Sequence, residues 1–157
     1  LIKLMIKVNV IVKDNAWRKY IKNPDIYLKN KLKKIQDDKF FSKNNVYVFS
    51  LLLSGSKEIK LLNEKFRKKN KTTDILSFPY QVNRDLKKQR SQKLEVYLGD
   101  MIINVKKVNF ESQKMFKDHF NILWVHGLLH LFGYDHKKEE NYKRMKFFEN
   151  KFLKKMQ

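Results

Sequence analysis

HGLLHLFGYDH, residues 126 to 136, gathers three of the chain's four histidines into eleven residues. On an α-helix, His126 and His130 are separated by about 40° of rotation and about 6 Å of rise, so both imidazoles leave one face. Two ligands of a single zinc ion need that separation. Gly133 follows His130 by three residues, and glycine is the usual residue where a helix stops in a left-handed turn. The chain can then fold back, which would return His136 to the same ion from outside the helix. The spacing H-x3-H-x2-G-x2-H is that of a long zinc-peptidase signature.

A zinc peptidase, however, needs a glutamate after the first histidine as general base. Gly127 stands there. The spacing therefore predicts one ion, held by His126, His130 and His136, without peptidase chemistry. Three neutral ligands would leave its 2+ charge uncompensated and a fourth position open. Such a centre favours an anionic substrate, and a phosphodiester cleaved by metal-activated water or by a ribose 2′-hydroxyl suits it better than a peptide. The alternative is that the histidines pad a core helix whose packing is done by Leu128, Leu129, Leu131 and Phe132. His119, seven residues before His126, falls on nearly the same helical face but about 10 Å away along the axis, too far to share the ion. It is expected at the surface.

The elements that must place these residues can be read from periodicity. Residues 4–12, 46–53, 72–80 and 96–104 are short runs rich in β-branched and aromatic residues and read as strands. Pro24 interrupts the helical pattern between the first two, predicting two short helices there. In SGSKEIKLLNEKFRKKN, Ile59, Leu62 and Phe66 form one apolar stripe, predicting a helix. A helix is expected from about Val105 to Phe132, broken near Lys117 and Asp118, and a last basic amphipathic helix over roughly 138–155. Residues 81–95, polar and highly charged, are expected to form a loop. Without repeats or linkers, the 157 residues are expected to form one α+β domain, a mixed four-stranded sheet covered by helices.

The chain has no cysteine, which excludes a disulfide framework, a thiolate zinc site and a cysteine nucleophile. No run approaches the roughly 20 apolar residues of a membrane span, and a cytoplasmic location is expected. The net charge of +20 favours a polyanion such as RNA, because neutralising phosphates releases counterions. Lysine outnumbers arginine 31 to 5, a bias that AT-rich coding also produces.

HGLLHLFGYDH resembles the H-G-x-L-H-L-x-G-Y-D-H motif of the YbeY-type endoribonucleases at every fixed position. Two further blocks resemble the same family: LNEKFRKKNKTTDILSFP at residues 62–79 and LGD at 98–100. The resemblance implies a zinc-dependent endoribonuclease specific for single strands. Such an enzyme would mature the 3′ end of small-subunit rRNA and act in ribosome quality control, with rRNA and ribosomal particles as partners. It implies His126, His130 and His136 as ligands of one Zn2+, and Arg67 as the catalytic and substrate-binding arginine. A planar guanidinium can hold two phosphate oxygens at once, which a lysine cannot. Asp100 and Asp135 are candidates for carboxylates that hold a ligand imidazole from behind, although a strand end and a turn explain them equally well. Thr73, Asp74 and Ser77 could line the cleft or satisfy local backbone groups. The chain departs from the family in having Asn104 where a serine or cysteine is common and a basic stretch over 81–95. A non-catalytic RNA-binding assembly factor with a structural zinc is the competing reading.

Overall fold

A computed structural model describes residues 4–80 and 94–157. Its single sheet contains β1 (Ile6–Val12), β2 (Asn45–Ser54), β3 (Ile75–Pro79) and β4 (Leu94–Asn104). The order is β1-β2-β4-β3, with β1 and β4 both parallel to β2 and β3 antiparallel to β4. The expected mixed sheet is therefore present, and β3 lies at an edge. Residues 81–93 of the expected loop lie outside the described residues, while Leu94 and Glu95 already belong to β4.

The two short helices expected around Pro24 are present, and Pro24 opens the longer one. It takes the first position of α1 (Pro24–Ile35), where its missing N–H costs nothing, and the Asn23 side chain caps the turn by accepting the Ile26 N–H. The second short helix of this region is a 3-10 turn over Asn15–Lys19. Its Trp17, fully buried, donates its indole N–H to the Ser54 carbonyl at 3.0 Å and ties the turn to the end of β2.

Two helices carry the residues of interest. The first, α2 (Ser56–Arg67), buries Ile59 and Asn63 and ends with Lys68 in the left-handed conformation. The second, α3 (Gln113–Leu131), packs against β3, β4 and a terminal helix α4 (Glu139–Lys155). Leu128, Leu129 and Trp124 of α3 are fully buried, and each buried leucine contributes roughly 2 kcal/mol relative to exposure.

The expected break near Lys117 and Asp118 is not there. Asp118 is exposed and pairs with Lys114 one turn earlier at 2.9 Å, so the charges form an i, i+4 pair that supports the helix. The helix also starts later than expected. Asn104 caps a 3-10 turn over Val105–Lys107, and α3 begins only where the Ser112 hydroxyl accepts the Met115 N–H.

Sheet parity decides what faces what. Ile75, Ser77, Met101 and Ile103 point toward α3, whereas Leu76, Phe78 and Ile102 point toward α2. Adjacent residues of β3 thus serve opposite faces of the sheet. Among the described residues, no helix is long and apolar enough to cross a membrane.

Candidate metal centre

Helix α3 ends one residue after His130, at Leu131, in a Schellman turn. The Gly133 N–H donates to the His130 carbonyl and the Tyr134 N–H to the Leu129 carbonyl. Gly133 takes φ +99°, a conformation that L side chains rarely adopt. The turn brings His136 back beside the helix, as its spacing predicts.

The three imidazoles converge. His126 Nε2 lies 3.0 Å from His130 Nε2 and 3.2 Å from His136 Nε2. Three nitrogens bound tetrahedrally at about 2.0–2.1 Å from one zinc would stand about 3.3 Å apart. Among the described residues, no further cysteine, histidine or carboxylate joins the group.

The partners behind the rings determine which nitrogen bears the proton. His126 Nδ1 stands 2.7 Å from Glu149 Oε1, and His130 Nδ1 stands 2.8 Å from the Tyr134 carbonyl. A carbonyl can only accept, and so can an ionised carboxylate, so both protons belong on Nδ1. Burial alone would raise the Glu149 pKa, but the His126 N–H, the nearby imidazoles and Lys146 outweigh it and hold Glu149 below its usual value. Burial, joined by the His126 imidazole, pushes His130 below the usual histidine range, toward the neutral ligating form. Neutral rings with Nδ1 protonated direct Nε2 lone pairs at one another across 3.0 Å. That arrangement is repulsive unless a cation lies between them, and the donor set therefore fits a metal ion.

Glu149 is the residue that sequence reasoning missed. It belongs to α4, is 8% exposed, and sits thirteen residues past the last histidine of the motif. Its only sequence signal is a carboxylate on the apolar side of α4, between Met145 and Phe152, both buried. Of the two carboxylates proposed for its role, Asp100 lies on the other face of the sheet and Asp135 lines the cleft without a hydrogen bond to a ligand ring among the described residues. Asp100 sits at the β4 position opposite Phe78, on the α2 face, and accepts the Tyr97 hydroxyl. Asp135 accepts the Lys137 N–H at 3.0 Å, a turn contact beside the cleft. His119 is half-buried, not a surface residue, and its Nδ1 accepts the Asn109 N–H at 2.9 Å.

Arg67 reaches the same cleft from α2. The cleft, about 510 Å³, is lined by Arg67, Asp74, Ser77, the three histidines and Lys137. Arg67 donates from one terminal nitrogen to the Ser77 carbonyl at 2.9 Å, with its guanidinium 5.6 Å from the centre of the Phe78 ring. It wraps the edge of β3, and among the described residues no other hydrogen bond holds its guanidinium. Thr73 and Asp74 serve local structure, since the Asp74 carboxylate accepts the Ile75 N–H at 2.7 Å and the Thr73 hydroxyl. Asn104, fully buried, donates to Ser56, Thr72 and the Thr73 carbonyl, which locks the strand entry to α2.

Gly127 has a packing reason. A Cβ there would lie 2.3 Å from Met101 Sδ and 2.7 Å from Ile75 Cδ1. The position faces the sheet, and its emptiness lets α3 approach β3 and β4 closely enough to hold His126 over the cleft.

A family model described as Endoribonuclease YbeY matches residues 12–157. The Endoribonuclease YbeY of Pelagibacter ubique is 36% identical over 149 residues, covering 90% of each chain. That of Buchnera aphidicola from Schizaphis graminum is 36% identical over 152 residues, covering 94% of this chain and 89% of the relative. The solution structure of TM1509 from Thermotoga maritima superimposes with a TM-score of 0.56 at 25% identity, over 97% of this chain and 89% of that one. The matched family segment contains Arg67, the converging histidines and Glu149 alike, and the chain belongs to the YbeY family of endoribonucleases.

Proposed function

We propose that this chain is a zinc-dependent endoribonuclease that hydrolyses phosphodiester bonds of single-stranded RNA. It acts in maturation of the 3′ end of small-subunit rRNA and in ribosome quality control, in the cytoplasm, with rRNA and ribosomal particles as partners. The observation that carries this reading is the convergence of three imidazole Nε2 atoms in one cleft with Arg67. The names of the relatives support the reaction class, and the net charge of +20 suits a polyanion.

His126, His130 and His136 would hold the ion, and an all-imidazole set with no thiolate or carboxylate favours zinc. When bound, zinc supplies Lewis acidity to a phosphoryl group and lowers the pKa of a coordinated water. Glu149 and the Tyr134 carbonyl keep two of the ligand rings oriented, with the proton on Nδ1 and Nε2 turned to the cleft. Arg67 grips a phosphate next to the scissile bond. One of its N–H groups is spent on the Ser77 carbonyl, which fixes the guanidinium plane and leaves others for two phosphate oxygens. Lys137, which also lines the cleft, adds positive charge. The competing structural-zinc reading requires a closed site, whereas these ligands line an open cleft and His136 is exposed.

Arg67→Lys is the direct test. It keeps the charge but loses the bidentate grip, worth about 1.5–3 kcal/mol for a hydrogen bond to a charged group, so kcat/KM for a single-stranded RNA falls by roughly 10- to 100-fold. Zinc content stays at one ion per chain. Unchanged cleavage by Arg67→Lys would remove Arg67 from the mechanism. The ends of the products separate the two attacking groups, since a 2′,3′-cyclic phosphate reports the ribose hydroxyl.

A further inference from the structure

The face of the sheet opposite the histidines contains a second concavity, of about 500 Å³, at the α2 side of β2, β3 and β4. Its walls are apolar, with Leu52, Leu62 and Ile102 at the base and Phe66 and Phe78 at one side. Phe66 meets Phe78 edge-to-face at 5.4 Å yet remains 58% exposed. On the same face, Tyr80 packs edge-on against Tyr97 at 5.6 Å and is 66% exposed. Large aromatic rings left this open next to a proposed RNA cleft need an account beyond packing.

Asp100 supplies the polar feature of this groove. It is the cross-strand partner of Phe78, so the two side chains rise side by side from adjacent strands. A bulge in β4, where Leu98 is the extra residue opposite the Val48–Phe49 step of β2, places Tyr97 and Asp100 on one face although they are three residues apart. The Tyr97 hydroxyl touches both Ser50 Oγ and one Asp100 oxygen. Among the described residues, no lysine or arginine forms an ion pair with Asp100. In a chain of net charge +20, this carboxylate presents acceptor sites only, above an apolar floor and between aromatic rings.

We propose that this groove is a nucleobase subsite for the RNA, with guanine its preferred occupant. The assignment rests on the endoribonuclease reading of the opposite face. Phosphates are repelled by Asp100 and Glu58, which line the groove, and stay at the edge with Arg67. A base carries no charge and stacks on any aromatic face. A carboxylate selects for donors, and the Watson–Crick edge of guanine offers two adjacent N–H groups, whereas uracil offers one flanked by carbonyls. Arg67 links the two sites: it lines the histidine cleft, and its guanidinium lies against Phe78, which lines the groove. Ser77 faces the cleft and Phe78 the groove, so a single strand held by Arg67 needs only to cross the edge of β3 to place a neighbouring base against Phe66.

The test has two arms on the zinc-loaded full chain. In the first, backbone amide shifts of Ser50, Phe78, Tyr80 and Tyr97 are followed by NMR as guanosine or uridine is added; neither nucleoside carries a phosphate that could report the metal cleft. Guanosine is expected to move them with at least fivefold higher affinity than uridine. Phe66→Ala weakens guanosine at least fivefold, and Asp100→Asn, whose amide oxygen still accepts from Tyr97, brings the two nucleosides within twofold. Equal affinities in the parent chain, or no shift at these residues, overturn the subsite.

In the second arm, a single-stranded RNA has one guanine beside the cut replaced by an abasic unit. KM rises at least fivefold with kcat held in the parent chain, and in Phe66→Ala the abasic and intact RNAs have equal KM. An unchanged KM in the parent chain overturns the subsite as well. If no RNA is cut, the endoribonuclease reading fails on its own account, and the nucleoside titration still decides what the groove binds.

Discussion

His126 Nδ1 and Glu149 Oε1 lie 2.7 Å apart, joining helices α3 and α4 across twenty-three residues of sequence. The contact holds the His126 ring so that Nε2 faces His130 and His136, and it makes the terminal helix part of the candidate metal centre. Glu149→Gln removes the charge while keeping the shape. Losing an outer carboxylate partner of a ligating histidine typically costs about 10- to 100-fold in metal affinity. Competition with a chelator should show zinc bound at least tenfold more weakly by Glu149→Gln, with the thermal midpoint of the stripped protein little changed. An unaltered zinc affinity would mean that the pair serves packing alone.

The two glycines of the motif do different work and should fail differently. Gly127→Ala places a methyl group against Met101 and Ile75, an overpacking that costs about 1–3 kcal/mol and outweighs the roughly 0.5–1 kcal/mol that alanine gains over glycine inside a helix. The loss should appear in denaturant unfolding of the zinc-free chain. Nothing lies within 4 Å of a Cβ at Gly133, so Gly133→Ala suffers from its φ of +99° alone, a cost of roughly 1–2 kcal/mol. Because that strain falls on the turn that returns His136, zinc affinity should drop in Gly133→Ala along with stability. A Gly127→Ala chain more stable than the parent by the full helix-interior gain of about 0.5–1 kcal/mol would contradict the close approach of α3 to the sheet.

Asp38 links α4 to the loop after α1 and gives folding a defined acid dependence. Its carboxylate is buried, accepting from Lys155 at 2.7 Å, Lys151 at 3.0 Å and the Phe40 N–H at 2.9 Å. Burial pushes its pKa up, but these donors outweigh it and bring the value from 3.8 down to about 2. A carboxyl depressed in the folded state stabilises fully above its unfolded pKa, and that stability is lost as pH falls through the folded value. The contribution, about 2 kcal/mol, should therefore vanish between roughly pH 4 and pH 2. Urea unfolding across this window should show Asp38→Asn less stable than the parent at pH 6, with the gap closing toward pH 2. A gap that persists at pH 2 would point to lost packing as the cause.

The histidine spacing and Gly133 were enough to foresee the centre, because helix geometry fixes where residues four apart must point. The four strands and their mixed sheet also followed from local pattern. The break read at Lys117 and Asp118 overlooked a local signal, since Lys114 stands one turn before Asp118 and pairs with it. The support behind the histidines depended on contacts that no local window contains. Asp100 and Asp135 were plausible supports by residue type alone. Glu149 was chosen over both by the packing of α4 against α3 and by the Asp38 clamp that anchors the far end of α4.

The most direct test of the account is a zinc titration of metal-stripped protein, read as the initial rate of cleavage of a labelled single-stranded RNA. Activity should be absent without metal, rise linearly and level off at one zinc per chain, while His130→Ala neither retains the ion nor cuts at any zinc concentration. Full cleavage by the stripped protein, or by His130→Ala, would contradict the assignment of these histidines to the reaction.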